Sequence, residues 1–335
     1  MKQRTRFFLG IIVFLFCTLA MTEWYWSQSQ HSSTKQEKLI IAEAGQPLFV
    51  LVYLADTLGY FKSEGLEVSF KHFTSGRDAL ASAIKGESDI ATVFETPVVL
   101  NAYQGVELGI ISTLHFSINN TAVVALKERG ISTPQDLIGK TLAAPLNTNA
   151  EYFLKLFLEK HGITQEQVTL INMKPQEAVS ILEEGRADAI VVWNPHLYNA
   201  MEAFLEKGVM VFRSDMYTEF SVLAGLKKTI KERPQAMKKL LRAIIKAEDF
   251  FAKNQEEAQI IVMSRLKNIP QRTVLETWDS YKPIIYLNHL LRTTLIQEAE
   301  WFHQSGRFNT PPPDFNKVLF PDYLREVAPS LVTIQ

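Results

Sequence analysis

From Leu39 onward, short apolar runs alternate with stretches in which apolar residues recur every three or four positions. "LIIAEA" (39–44) precedes a helical stretch over about 49–62, "LEVSFKHF" (66–73) precedes "RDALASAIKG", and "SDIATVF" (88–94) precedes "PVVLNAYQG". Strand-length runs separated by helical periods predict βα units, and hence a parallel sheet with helices on both faces. "VELGIISTL" (106–114) closes this set, and a second begins near Thr121. It comprises "TAVVALKE", "STPQDLIGKTLAAP", a helix over about 150–161, "VTLINM" (168–173), a helix over "PQEAVSILEEG", the strand "ADAIVVW", a helix to about Lys207 and "VMVFR" (209–213). Glycines stand where helices must stop, at Gly59, Gly86, Gly105, Gly162 and Gly185.

After "FSVLAGL" (220–226) the character changes. Residues from Lys227 to about Phe308 read as nearly all helical, with amphipathic periods in "RPQAMKKLLRAIIKAEDFFAKN" and "TTLIQEAEWFHQSG", and "TPPPDF" then ends regular structure. The pattern predicts an α/β protein of two doubly wound lobes in series with extra C-terminal helices. If those helices return to the first lobe, lobe one is discontinuous (38–117 and 220–335) and lobe two is an insertion (118–219). The crossings, near 115–120 and 217–220, are natural hinges.

Composition narrows the function classes. The chain has 335 residues with 35 Lys+Arg against 36 Asp+Glu, a net charge of −1, and no basic stripe interleaved with aromatics, so nucleic acid is not an expected partner. A single cysteine, Cys17, excludes an intramolecular disulfide framework and a thiolate metal cluster. The N-terminal "MKQRTR" followed by the uncharged "FFLGIIVFLFCTLAM" has the layout of an export signal. Small residues at Thr18 and Ala20 permit cleavage, whereas Trp24, Tyr25 and Trp26 follow as an interfacial belt would, so 1–26 is a signal peptide or a retained membrane anchor. Residues 27–37 are polar and read as a tether. Both readings place the rest of the chain outside the cytoplasm, in the periplasm or its equivalent.

"YLADTLGYFKSEGLEVSF", "TSGRDALASAIKGESDIATV", "ALKERGISTPQDLIGKTLAAP" and "EEGRADAIVVWNPHLYNA" resemble, in this order, the solute-binding proteins of ABC importers for sulfonates, nitrate and thiamin-precursor pyrimidines. The resemblance covers roughly residues 39–226. It implies a type II periplasmic-binding-protein fold, in which two lobes close on a small molecule and the closed form docks on an ABC permease in the membrane. A monomer without cofactor or metal is implied.

A cleft between two doubly wound sheets collects strand-to-helix loops, each offering free backbone N–H groups at the positive end of a helix. In "AGQPLF", Gln46 matches the position at which the family presents a side chain to ligand, with Phe49 as a neighbour; Pro47 equally well just starts the helix. In "FTSGRDAL", Ser75 and Gly76 open the next helix, where capping and ligand binding are compatible. "VFETPVVL" places Phe94, Glu95 and Thr96 before Pro97, where the family more often has small or uncharged residues. A cleft-facing Glu95 disfavours a simple anion and favours a ligand with an amine, amidine or ring N–H; the alternative is a carboxylate stabilised by the helix dipole. "APLNTNAEYF" offers Asn147, Thr148 and Asn149, one of which is needed as the N-cap. In "VVWNPHLY", Trp193 and Asn194 end a buried strand; the indole either stacks on a planar guest or packs within its own lobe.

Of seven histidines none forms a helical pair or close carboxylate cluster with metal-site spacing, and His115 alone sits at a crossing with a possible cleft role. No nucleophile elbow, phosphate loop or dinucleotide fingerprint is present. Yeast pyrimidine-synthase relatives share the fold but carry a cysteine-rich segment that this chain lacks, so no enzyme activity is expected. The reading is capture and delivery of a small molecule, best a thiamin-precursor pyrimidine or similar nitrogen heterocycle, with sulfonate or nitrate next. The alternative is a ligand-sensing ectodomain that signals through a membrane partner.

Overall fold

The computed structural model describes residues 36–334. The expected signal or anchor (1–26) and most of the tether lie outside the described residues. No helix among the described residues is long and apolar enough to cross a membrane.

The first lobe opens with β1 (Glu37–Ala44), α1 (Val50–Thr57), α2 (Tyr60–Ser63), β2 (Leu66–Phe73), α3 (Gly76–Ile84), β3 (Ile90–Phe94), α4 (Glu95–Tyr103) and β4 (Leu108–Ser117). The second sheet follows with β5 (Thr121–Leu126), β6 (Thr141–Ala144), α5 (Asn149–Lys160), β7 (Thr169–Asn172), α6 (Ala178–Glu183), β8 (Ala189–Trp193), α7 (His196–Ala203) and β9 (Val209–Phe212). The chain then returns in β10 (Glu219–Leu226) and ends in α8 (Lys227–Glu232), α9 (Pro234–Lys253), α10 (Gln255–Arg265), α11 (Gln271–Thr277), β11 (Lys282–Pro283), α12 (His289–Gln304) and α13 (Pro321–Val327).

One sheet has the order β11-β4-β10-β3-β1-β2 and the other β7-β6-β8-β5-β9. β1 runs parallel to β3, and β6 runs parallel to both β7 and β8. The expected purely parallel sheets are instead mixed: β10 is antiparallel to β3 and β4, and β5 is antiparallel to β8 and β9. β5 and β10 have each just arrived from the other lobe, so each enters its sheet from the crossing end and runs against its neighbours; β11, at the edge, is also antiparallel to β4. Two further departures lie at the C-terminus. β11 is an edge strand inside the segment read as helical, and α13 resumes regular structure after the prolines of "TPPPDF".

Local chemistry explains the elements. β3 (IATVF) and β8 (AIVVW) are buried at every position and apolar apart from Thr92, whose hydroxyl accepts the N–H of Ala44, as suits central strands covered on both faces. α9 starts with Pro234 at its first turn and buries Met237, Leu240, Leu241 and Ile244 at three- and four-residue spacing. That stripe lies against α1, and each buried leucine or isoleucine contributes about 1.5–3 kcal/mol. An aspartate at Leu240 would abolish the seam.

The two-residue period also sorts the faces of the second sheet. Ala122, Val124, Ile190 and Val192 form a separate core with α6 and α7. Val123, Ala125, Ala189, Val191 and Trp193 belong to the larger core that includes α5 and the first lobe. Trp193 therefore does not pack under α7, the helix that follows it.

Candidate functional site

The facing ends of the two sheets gather the loops singled out by sequence. Past β1, the Tyr53 hydroxyl clamps the turn, accepting the N–H of Gln46 at 3.2 Å and donating to its carbonyl at 2.9 Å. The Gln46 side chain is buried, and neither its amide oxygen nor its nitrogen has a partner. Phe49 lies wholly in the core. Ser75 caps α3, its Oγ accepting the N–H of Asp78 at 3.2 Å and donating to the Asp78 carboxylate at 2.8 Å. Gly76 is fixed by packing: a Cβ there would stand 2.9 Å from Val93 Cα.

Phe94 precedes α4 and Glu95 opens it, fully buried. The Glu95 carboxylate accepts the Tyr217 hydroxyl and, at 2.9 Å, the N–H of Phe220, so it reaches from the first lobe to the second crossing. Both of its oxygens are thus committed within the protein. Thr96 Oγ1 and both carboxylate oxygens of Glu298, on α12, are buried without hydrogen-bond partners. Burial, with the charge of Glu298 beside it, pushes Glu95 well above the ordinary carboxylate range. Burial raises Glu298 too, against a smaller pull from Thr96.

The neighbouring residue of the crossing is bound from the other side. Glu219 accepts from Thr121 Oγ1 at 3.0 Å and from Asn149 Nδ2 at 2.5 Å, and burial lifts its pKa to about 7 against Thr121, Asn149 and Asn120. Thr148 is the N-cap of α5, accepting from the Ala150 N–H at 3.3 Å and donating to the Pro145 carbonyl at 2.6 Å. Asn147 has φ of 61°, donates its N–H to Glu151 at 2.7 Å and accepts from Arg307 of the C-terminal segment.

Backbone pairing brings together a set of unpartnered neutral groups. His115 on β4 faces Ser221 on β10, which also pairs Phe94 on β3, and Trp193 pairs Thr121 across β8 and β5. Asn194 donates its N–H to the Asn120 carbonyl at 3.1 Å, and its peptide bond to Pro195 is cis. Both His115 ring nitrogens, the Ser221 hydroxyl, the Asn120 amide and Trp193 Nε1 are buried without a well-formed hydrogen bond, although the Ser280 backbone bears on His115 and Asn120 on Glu219. Burial pushes His115 down to about 3, opposed by the Ser280 backbone, so the imidazole is neutral at ordinary pH. Buried polar groups are nearly always hydrogen-bonded, so this concentration of unpaired groups is unusual for a protein interior.

A cavity of about 620 Å³ opens between the lobes. None of the sequence-selected residues lines it; their chain neighbours Gly45, Thr74 and Pro195 do. Its charged wall was missed in the sequence. Glu43 is buried and accepts from Arg265 and His72 at 3.2 Å each, while Arg265 also pairs Asp56 at 2.5 Å and lies over Phe70. The readable signal was a glutamate inside an apolar strand; nothing near Arg265 in sequence announced its reach back to β1. His196, also on the wall, is lowered to about 4 by burial. Across the seam Arg77 donates to the Leu146 carbonyl at 2.8 Å, Thr273 to Asn199 at 2.9 Å, and Arg272 pairs Glu202 at 3.3 Å. Among the described residues no group of three His, Cys, Asp or Glu side chains is arranged to hold a metal ion.

The chain is 24% identical to the taurine-binding periplasmic protein of Escherichia coli K12, covering 77% of this chain and 84% of that one. It is 26% identical to the formylaminopyrimidine-binding protein of Halalkalibacterium halodurans, covering 64% and 65%. Among solved structures it superposes on the MOPS-bound alkanesulfonate-binding protein of Xanthomonas axonopodis with a TM-score of 0.74 at 14% identity, covering 86% of this chain and all of that one. The nitrate-binding protein of Synechocystis gives 0.71 at 14% identity, covering 89% of each chain. These likenesses show the two-lobed periplasmic-binding-protein fold. The NMT1/THI5 like family matches residues 46–258, a span that runs from the Gln46 turn through Trp193 to the first turn of α10, and the chain belongs to that family.

Proposed function

We propose that the chain is an extracytoplasmic solute-binding protein that captures a small organic molecule between its lobes and delivers it to an ABC permease. Lobe one spans 38–117 and 220–335, lobe two 118–219, and the crossings between them act as hinges. The solute is a nitrogen heterocycle of the thiamin-precursor pyrimidine kind, in preference to sulfonate or nitrate. The observation that carries this is the set of buried, unpartnered groups at the facing strand ends. Gln46, His115, Asn120, Trp193 and Ser221 supply neutral donors and acceptors, and no lysine or arginine is among them. An anion held by these groups alone would lack a countercharge, although Arg265 and Lys267 line the cavity between the lobes; a planar ring with alternating N–H and C=O groups matches donors to acceptors. Relatives named for taurine and formylaminopyrimidine bracket the choice.

A thermal-shift and calorimetric panel of pyrimidines, aminopyrimidines, alkanesulfonates and nitrate tests it. At one hundred times the dissociation constant a ligand adds about 2.7 kcal/mol of stability, which such a panel detects. Stabilisation by heterocycles alone is expected; stabilisation by sulfonates alone would sink the assignment.

A further inference from the structure

The second crossing ends on a buried acidic pair with no counter-ion. Glu95 holds the Tyr217 hydroxyl and the Phe220 N–H, and Glu298, also fully buried, lies on α12, which packs on α4. Other titratable groups surround the pair. Tyr217 and Glu219 come from the crossing; Tyr152 and Glu159 come from α5, with the Tyr152 ring edge-on to Tyr217 at 5.1 Å. Lys155 and Arg307 are the nearby cations, but each is bound to Glu151 and lies over the Phe302 ring. Arg292 and Glu300 are the remaining charged residues of α12. Among the described residues neither Glu95 nor Glu298 has an ion-pair partner, and both Glu298 oxygens are orphaned. Two carboxyl groups buried together cannot both ionise without a large cost, so the site is built to hold a proton.

We propose that Glu95 and Glu298 are a proton-holding pair that positions the second crossing: protonated, it keeps Tyr217 and Phe220 against the first lobe; fully ionised, its repulsion parts α4 from α12 and frees them. Glu298 is a positioning residue, acting on the solute only through Glu95 and the crossing. This rests on the reading of the chain as a protein that closes on a solute. Closure then takes up protons, because the open, hydrated pair releases them at lower pH than the closed pair does, and solute affinity falls as pH rises.

The test uses the full chain, 15N-labelled and solute-free, with the Phe220 amide resonance followed from about pH 5 to about pH 9 against the ordinary carboxylate pKa near 4.3. Small-angle scattering reports the radius of gyration of the same samples. The amide should titrate at least one pH unit above the ordinary range, with the protein expanding over the same interval. Glu298→Gln, which keeps shape and removes the charge, should move the midpoint down by about one unit or more and abolish the expansion. If Glu298→Gln does not fold, Tyr217→Phe serves with the opposite sign, since loss of its hydroxyl should move the midpoint up. An amide titrating in the ordinary range, or equal midpoints in wild type and Glu298→Gln, overturns the proposal. Failure of every solute with a displaced midpoint sinks the transport reading and leaves the pair standing; solute binding with an unmoved amide does the reverse.

Discussion

The Glu95 carboxylate and the Phe220 amide nitrogen lie 2.9 Å apart, while Glu219, the preceding residue, bonds to Thr121 and Asn149 of the second lobe. Two consecutive residues of one crossing are thereby gripped by opposite lobes. A rotation of one lobe against the other would have to be absorbed in the backbone torsions between these two residues or strain one of the bonds.

Stability should peak at intermediate pH, with limbs of different origin. Glu219 keeps in the folded state a proton that the unfolded chain releases near 4.5, so its contribution is complete below that value and is lost as pH rises through about 7. His115 acts in reverse. The unfolded chain binds a proton near 6.5 and the folded chain refuses it until about 3, so stability is lost as pH falls through that interval. Melting temperatures of Glu219→Gln and His115→Gln should flatten the alkaline and acid limbs respectively; limbs unchanged in both variants would refute the assignment.

Trp193→Phe retains an aromatic ring and deletes an N–H that has no partner in the protein. Affinity for the heterocycle that binds best should fall about tenfold, the worth of one hydrogen bond, while the fold loses about 1–2 kcal/mol of packing. Calorimetry and thermal unfolding separate the two effects. Unchanged affinity would return the indole to the core.

Gly76→Ala should cost about 1–3 kcal/mol, because the added methyl meets backbone at Val93 and Thr92, which cannot swing aside as a flexible side chain can. Chemical denaturation measures this; a neutral result would mean that α3 slides along β3.

The architecture was legible where periodicity alone decides. Strand runs such as "IATVF" and the α9 stripe predicted their elements within a few residues. Strand direction was not legible, since an antiparallel β10 and a parallel one carry the same buried pattern. Of the site, the loops could be read but not which atoms are spoken for. Sequence leaves Glu95 either cleft-facing or stabilised by the helix dipole, because Tyr217 and Phe220 lie more than a hundred positions away and local sequence says nothing about such partners. Asn120, Ser221 and Glu298 carry no local signature; only their burial without partners distinguishes them.

Arg265→Met should destabilise by about 3 kcal/mol, since Glu43 would remain buried with only His72 beside it. Adding Glu43→Gln should recover part of that loss, and a double-mutant cycle by denaturation reads the coupling. Purely additive costs would show that the two side chains act independently.

The place of β10 in the first sheet imposes an order of assembly. It lies between β3 and β4, yet it is made only after the whole second sheet. A nascent chain that has reached Phe212 holds β1, β2 and β3 on one side of a gap and β4 on the other, each with an unsatisfied strand edge. Such edges invite pairing with other chains. The second sheet, formed from one uninterrupted segment, can mature first, while the opening half of the molecule waits for its keystone.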